Sequence, residues 1–272
     1  MTFLEKLKGA VSAQSSILCV GLDPEVSRLP SHLPQTSEGV LRFNREIIEA
    51  TADLVCAFKP NLAFYEALGP PGLVALRETV DAIPGNIPII GDAKRGDIGN
   101  TAKAYARAMF EWYRFDAVTV SPYLGGEAIE PFLDYPDRAV FVICRTSNPG
   151  AEDFQGLSVL DNGAVRPLYE IVARRARTWN NRGNVGLVVG ATAPAELERI
   201  RDIAPDLPFL IPGVGAQGGD IASAARAHRE AAPAVVSVSR AVLYASPGLD
   251  FASAARAVAQ SYRDRLHVAR HE

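Results

Sequence analysis

The sequence predicts an α/β protein of the (β/α)8 TIM-barrel class, in a single domain spanning residues 1–272, and three observations predict it. Eight short, nearly continuous apolar runs recur along the chain, as parallel strands buried on both faces require. Stretches with helical spacing separate them, giving repeated βαβ units. Each run then hands over to polar residues at its C-terminal end, where barrels of this kind carry their chemistry.

The runs fall at residues 17–22 (ILCVGL), 54–58 (LVCAF), 87–91 (IPIIG), 117–120 (AVTV), 139–144 (AVFVIC), 185–189 (VGLVV), 209–211 (FLI) and 234–238 (AVVSV). Helical spacing marks 40–53, 73–83, 101–113, 167–179, 195–203 and 221–229. A doubly wound open sheet also alternates β and α, but no Gly-x-Gly-x-x-Gly follows the first run and no edge strand is evident. Loops 24–38 and 148–166 exceed a usual βα connection and are candidate lids or ornaments of the active face.

Composition narrows the function. With 28 basic and 31 acidic residues, the net charge of −3 leaves no global field to hold nucleic acid or an anionic membrane, so neither is expected as a partner. The first eight residues mix charge with apolar positions, and no apolar run reaches membrane-spanning length; a cytoplasmic enzyme is expected. Cys19, Cys56 and Cys144 are odd in number and lie inside apolar runs, which favours buried thiols over disulfides or a metal knuckle.

Past the strand ends come Asp23, Lys59, Asp92 with Lys94, Ser121, Thr146 with Ser147, Thr192, the glycine-rich loop 213–219 and Arg240. Wet loops account for Ser121 and Thr192, but charges aimed at a mostly enclosed cavity need another reason. Asp92 and Lys94 are two apart on an extended segment, so both side chains are expected on one face, with Ala93 turned away. Asp97, beyond the strand, serves equally well as a helix N-cap with Thr101 one turn on or as a catalytic carboxylate. Asp-x-Lys-x-x-Asp alone would arise by chance in roughly one chain in twenty of this size, so its weight comes from its place at the third strand end. The glycine-rich loop and Arg240 occupy the seventh and eighth strand ends, the usual phosphate position in such barrels, and imply a phosphorylated ligand.

The segment Asp92-Ala93-Lys94-Arg95-Gly96-Asp97-Ile98-Gly99-Asn100-Thr101 resembles the signature of the orotidine 5′-phosphate decarboxylase family. Phe58-Lys59-Pro60-Asn61, Thr146-Ser147-Asn148-Pro149-Gly150-Ala151, Pro212 to Gly219 and Arg240 follow in family order and resemble its longer bacterial subgroup. The resemblance implies a cofactor-free decarboxylation of orotidine 5′-phosphate to uridine 5′-phosphate, the last step of de novo UMP synthesis, by a homodimer with shared sites and no metal. It assigns Asp23 and Lys59 to the ribose, Asp92 to the substrate carboxylate and Lys94 to proton delivery. Ser147 would read the pyrimidine, Gln217 would bridge pyrimidine and phosphate, and Arg240 with backbone near Gly215 would hold the phosphate. Asp97 and Thr101 would reach the neighbouring subunit's site. Ser239 departs from the pattern, since glycine is more usual before the arginine. Two other readings stand beside this one. A Mg2+-dependent sugar-phosphate lyase or decarboxylase of the same barrel family fits less well, because Lys59 stands where those enzymes carry Glu and would repel a divalent cation. A non-catalytic nucleotide-binding barrel is compatible with the fold.

Overall fold

The structure is a computed structural model that describes residues 1–215 and 218–271. Its elements run α1 (Phe3–Gln14), β1 (Leu18–Leu22), α2 (Ser37–Thr51), β2 (Ala57–Pro60), α3 (Leu62–Glu66), α4 (Gly69–Ala82), β3 (Ile90–Arg95), α5 (Gly99–Arg107), β4 (Ala117–Val120), α6 (Glu130–Leu133) and β5 (Ala139–Arg145). They continue with the hairpin β6 (Ser158–Asp161) and β7 (Ala164–Pro167), then α7 (Leu168–Trp179), β8 (Val185–Val189), α8 (Pro194–Ile203), β9 (Phe209–Ile211), α9 (Ile221–Arg226), β10 (Ala234–Val238), α10 (Arg240–Leu243) and α11 (Phe251–His271).

Eight parallel strands form one sheet in the order β2-β1-β10-β9-β8-β5-β4-β3. Parallel bridges Phe58–Ile89 and Asn61–Asp92 then join β2 to β3 and close it into the expected barrel. Every residue of β1, β8 and β10 is buried, which is why these strands read as unbroken apolar runs. All three cysteines are buried free thiols, and burial, the largest influence on each, pushes Cys19 up to about 12 and Cys56 and Cys144 upward as well.

Helix α1 starts on a capping box: Thr2 Oγ1 accepts from Glu5 N–H at 3.3 Å while the Glu5 carboxylate accepts from Thr2 N–H at 2.8 Å. It seats Phe3 edge-on to Phe141 of β5. The long helix α11 was not among the expected helices, although Phe251, Ala255, Ala259 and Leu266 repeat at helical spacing; these four are buried, and the helix packs on β1, α2 and α9. Among the described residues no helix is long and apolar enough to cross a membrane.

Two strand boundaries and one loop differ from expectation for physical reasons. The second strand is 57–60 rather than 54–58, because Lys59 and Pro60 are buried in the ladder, where a charge and a proline ended the apolar pattern. The third is 90–95 rather than 87–91, extending through the charged residues themselves. Loop 148–166 contains the antiparallel β6–β7 hairpin, whose half-exposed strands carry no continuous apolar run.

Candidate active site

The parallel pairing between β3 and β4 breaks at the motif. Gly91 pairs with Val118 and Arg95 with Val120, so Asp92, Ala93 and Lys94 together oppose the single residue Thr119. Lys94 adopts φ 46°, a left-handed conformation uncommon outside glycine. Thr119 Oγ1 accepts from Ala93 N–H at 3.0 Å and Lys94 N–H at 2.9 Å and donates to Asp92 Oδ1 at 3.0 Å. The expected juxtaposition of Asp92 and Lys94 is present, but simple strand alternation does not produce it. A bulge does, and a buried hydroxyl supplies the partners that the bulge removes from the ladder.

Asp92 sits between two lysines: its Oδ2 accepts from Lys59 Nζ at 3.0 Å and its Oδ1 from Lys94 Nζ at 2.6 Å. Burial opposes ionisation of Asp92, but Lys59 and then Lys94 outweigh it and hold the carboxyl well below the ordinary range. Burial likewise works against the Lys59 ammonium, and Asp92 followed by Asp23 overcomes it, so its pKa is raised. Asp92 and Lys59 are therefore charged together at neutral pH, each desolvation cost offset by an opposite charge. Lys59 is enclosed whereas the Lys94 side chain is 55% exposed, leaving its ammonium within reach of a ligand.

Asp23 follows β1 and faces the end of β10. Its Oδ2 accepts from Ser239 Oγ at 2.6 Å, and its Oδ1 is buried with no partner among the described residues. The Ser239 departure has a steric counterpart: a Cβ at Gly21 would lie 2.8 Å from the Ser239 Cβ, so glycine on β1 makes room for the serine on the next strand. Tyr244 fixes the following loop, donating from its hydroxyl to Asp23 O at 3.2 Å and accepting from Glu25 N–H at 2.7 Å.

One cavity of about 170 Å³ is lined by Asp23, Lys59, Asp92, Gly213, Ser239 and Arg240. Residues more than two hundred positions apart thus meet at the C-terminal mouth of the barrel, where Arg240 and Gly213 of the glycine-rich loop line the same cavity. Gly215 lies outside this lining, in the same loop, at φ 91° and with a Cβ position only 2.8 Å from Tyr262 Oη; a side chain there would collide as well as strain the backbone. Gln217 lies outside the described residues. Ser147 follows β5 and does not line the cavity; its backbone packs so closely on Gly190 that a Cβ there would be 2.9 Å from Ser147 N.

Asp97 and Thr101 stand apart from the cluster. Asp97 Oδ1 accepts from the adjacent Ile98 N–H at 2.8 Å, and α5 starts with Ile98 at its N-cap position and no side-chain cap, so the N-cap role weighed for Asp97 is not realised. Among the described residues Asp97 has no ion pair, and Thr101 is exposed. Arg95, inside the same motif, points elsewhere, pairing with Glu66 of α3. Thr119 and Tyr244 escape pattern reading, and Ser239, visible only as a departure from the family pattern, carries no expected contact to Asp23. Thr119 had a signal, a hydroxyl inside an otherwise apolar strand, whereas nothing local marked Tyr244.

Fold and site together define a (β/α)8 barrel whose mouth carries a Lys-Asp-Lys cluster, with Lys59 and Asp92 enclosed and Lys94 open to solvent. A family model described as Orotidine 5′-phosphate decarboxylase / HUMPS family matches residues 16–258. The chain belongs to that family. It is 54% identical to an orotidine 5′-phosphate decarboxylase of Thermomicrobium roseum, the match covering 100% of this chain and 97% of the relative, and 53% identical to that of Herpetosiphon aurantiacus, covering 96% of each. The solved Leishmania donovani OMP decarboxylase superposes with a TM-score of 0.87 at 40% identity, covering 100% of both chains.

Proposed function

We infer that the chain converts orotidine 5′-phosphate to uridine 5′-phosphate and CO2 without a cofactor. The observation that carries this reading is the Lys59-Asp92-Lys94 ion-pair cluster at the barrel mouth, two of whose members, Lys59 and Asp92, line one cavity with Arg240. Loss of CO2 from C6 leaves an electron pair in the plane of the pyrimidine, where the ring π system cannot delocalise it. The barrier must fall by electrostatic preorganisation. The Lys94 ammonium beside C6 stabilises that pair and then protonates the carbon. Asp92, held ionised by its two lysines, faces the substrate carboxylate and disfavours the bound ground state relative to a transition state in which that charge is leaving.

Distant groups supply the binding energy. Arg240 and backbone near Gly215 take the phosphate, and the unpartnered Asp23 Oδ1 with Lys59 takes the ribose hydroxyls. Ser147 and Gln217 contact the pyrimidine. Asp97, half-buried, and Thr101, exposed, stand apart from the cluster of their own barrel and serve the site of the partner in a homodimer working in the cytoplasm.

Purified, chelator-treated protein should deplete the orotate chromophore of the substrate in a continuous absorbance assay; absence of turnover would overturn the reading. Mixing inactive Lys94→Ala and Asp97→Ala chains should restore activity in hybrid dimers. Failure of that rescue rejects the shared site and leaves the reaction standing.

A further inference from the structure

At the end of the barrel opposite the mouth, a cavity of about 610 Å³ opens between α8, the turn after α9 and the C-terminal end of α11. Two anchors fix its place. Arg201 Nη1 donates to Ala204 O at 3.2 Å and Leu207 O at 2.8 Å, just ahead of β9. His228 Nδ1 accepts from Ala234 N–H at 3.3 Å, at the start of β10. Both strands therefore present their N-terminal ends here, far from Lys94.

The lining is rich in guanidinium. Arg201, Arg226, Arg229 and Arg270 face two carboxylates, Glu198 and Asp202. Among the described residues the polar contacts of these arginines go to backbone carbonyls, Ser223 and His271, and none goes to a carboxylate. A smaller cavity of about 220 Å³ shares His228 and Arg270 and adds Lys8 and Glu230.

The buried donors are also unanswered. Arg201 is only 3% exposed, and among the described residues its Nε and Nη2 have no hydrogen-bond partner. Because His228 Nδ1 is an acceptor, the neutral ring carries its proton on Nε2, and that atom too is buried without a partner. The Arg201 guanidinium lies 3.5 Å over the Phe209 ring and Glu230 Oε1 stands 3.9 Å from His228 Nε2, beyond hydrogen-bond reach, so among the described residues all three donors lack a hydrogen-bond acceptor, an arrangement that a folded protein retains when something else completes it. The electrostatics agree. Burial and then the like charge of Arg229 push Arg201 down to about 9, while burial and then Arg270 push His228 down to about 4. Four arginines against Glu198 and Asp202 leave the lining with an excess of positive charge, and guanidinium groups match phosphate oxygens in bidentate geometry. The volume suits a small phosphorylated molecule.

We propose that this cavity binds a multiply charged phosphate group, free or carried by a nucleotide, at a site separate from the reacting mouth. The test uses binding as its readout, so it stands independently of the decarboxylase reading. Pyrophosphate and ATP are titrated calorimetrically into an Arg240→Ala protein, in which the phosphate clamp of the mouth is removed. One saturable site per chain is expected, and Arg226→Gln with Arg270→Gln on that background should weaken it by about tenfold or more. Neither side chain caps a backbone carbonyl, so the thermal midpoint without probe should stay unchanged and show that the double variant is folded. Tighter binding of ATP than of pyrophosphate identifies a nucleotide as the ligand, and the reverse a free polyphosphate. No saturable binding of either probe at about 10 mM, or binding in the folded double variant within about twofold of the parent, would overturn the proposal and leave the cavity to water.

Discussion

Two carboxylates at opposite ends of the barrel are each held by two cations, yet they are built for different purposes. Asp116, just ahead of β4 at the N-terminal face, takes Lys6 of α1 at 2.7 Å and Arg138 at 3.0 Å, and its Oδ2 also accepts Ile89 N–H at 2.9 Å. Both cations are largely enclosed, with side chains 17% and 25% exposed. Asp92, at the mouth, accepts no backbone N–H among the described residues; it takes a hydroxyl, one buried lysine and one lysine left more than half exposed on a left-handed backbone. The lower cluster ties α1 and two strand ends into the barrel. The upper one keeps a charge available to a ligand. The same ionic chemistry gives stability at one face and reactivity at the other, because the enclosure of the partners differs.

The comparison can be broken at either end. Lys94→Ala should have the largest effect, lowering kcat/KM by about 10⁴-fold while the thermal midpoint changes little, because the side chain removed is the exposed member of its cluster. Asp116→Ala should do the reverse. It leaves Lys6, Arg138 and the Ile89 N–H without their acceptor and should cost about 3 kcal/mol in a urea titration, with kcat retained wherever the protein is folded. A loss of activity in folded Asp116→Ala would erase the division of labour between the two faces.

Thr119→Val keeps the shape of the side chain but removes the acceptor for two backbone N–H groups and a donor to Asp92. It should lower kcat by about tenfold to a hundredfold with KM less affected, and Thr119→Ser should restore most of the loss. Equal activity of the valine and serine variants would show that the bulge holds without the hydroxyl.

The smallest effect is on pH dependence. The Asp92 pKa is depressed on folding, so its contribution is fully present above the ordinary carboxylate value and fades as pH falls through the folded one. The stability advantage of wild type over Asp92→Asn should stay level from neutral pH to about pH 5 and shrink by about 1 kcal/mol by pH 3. Lys59 is raised, so its own contribution persists below the ordinary lysine value and is lost only as pH rises through the folded one. A gap that closed near pH 6 would mean that Asp92 is not held ionised by its lysines.

Much of this was legible in the chain itself. Parallel strands covered on both faces must be apolar along their length, so the barrel strands appear as runs, and the convergence of strand ends follows from closure. That brought Asp23, Lys59, Asp92, Lys94 and Arg240 to one mouth by sequence alone. Boundaries failed where buried charge interrupted the pattern, at Lys59 and through 92–95, because an apolar count cannot register a lysine satisfied by a carboxylate from another strand. The β6–β7 hairpin escaped for the opposite reason, since its pairing is local and its side chains face water.

Local pattern could suggest that Asp92 and Lys94 are neighbours, but not how. Only the tertiary structure supplied the bulge, the positive φ of Lys94 and the hydroxyl of Thr119 beneath it, because a ladder irregularity depends on what the adjacent strand offers. The same holds for Gly21 yielding space to Ser239, and for the guanidinium-lined cavity whose arginines lie on three separate helical segments and turns. Sequence by itself determined which groups stand at the strand ends, since periodicity and burial are properties of one strand at a time. Their geometry, and which of their hydrogen bonds go unanswered, depends on packing between segments distant along the chain.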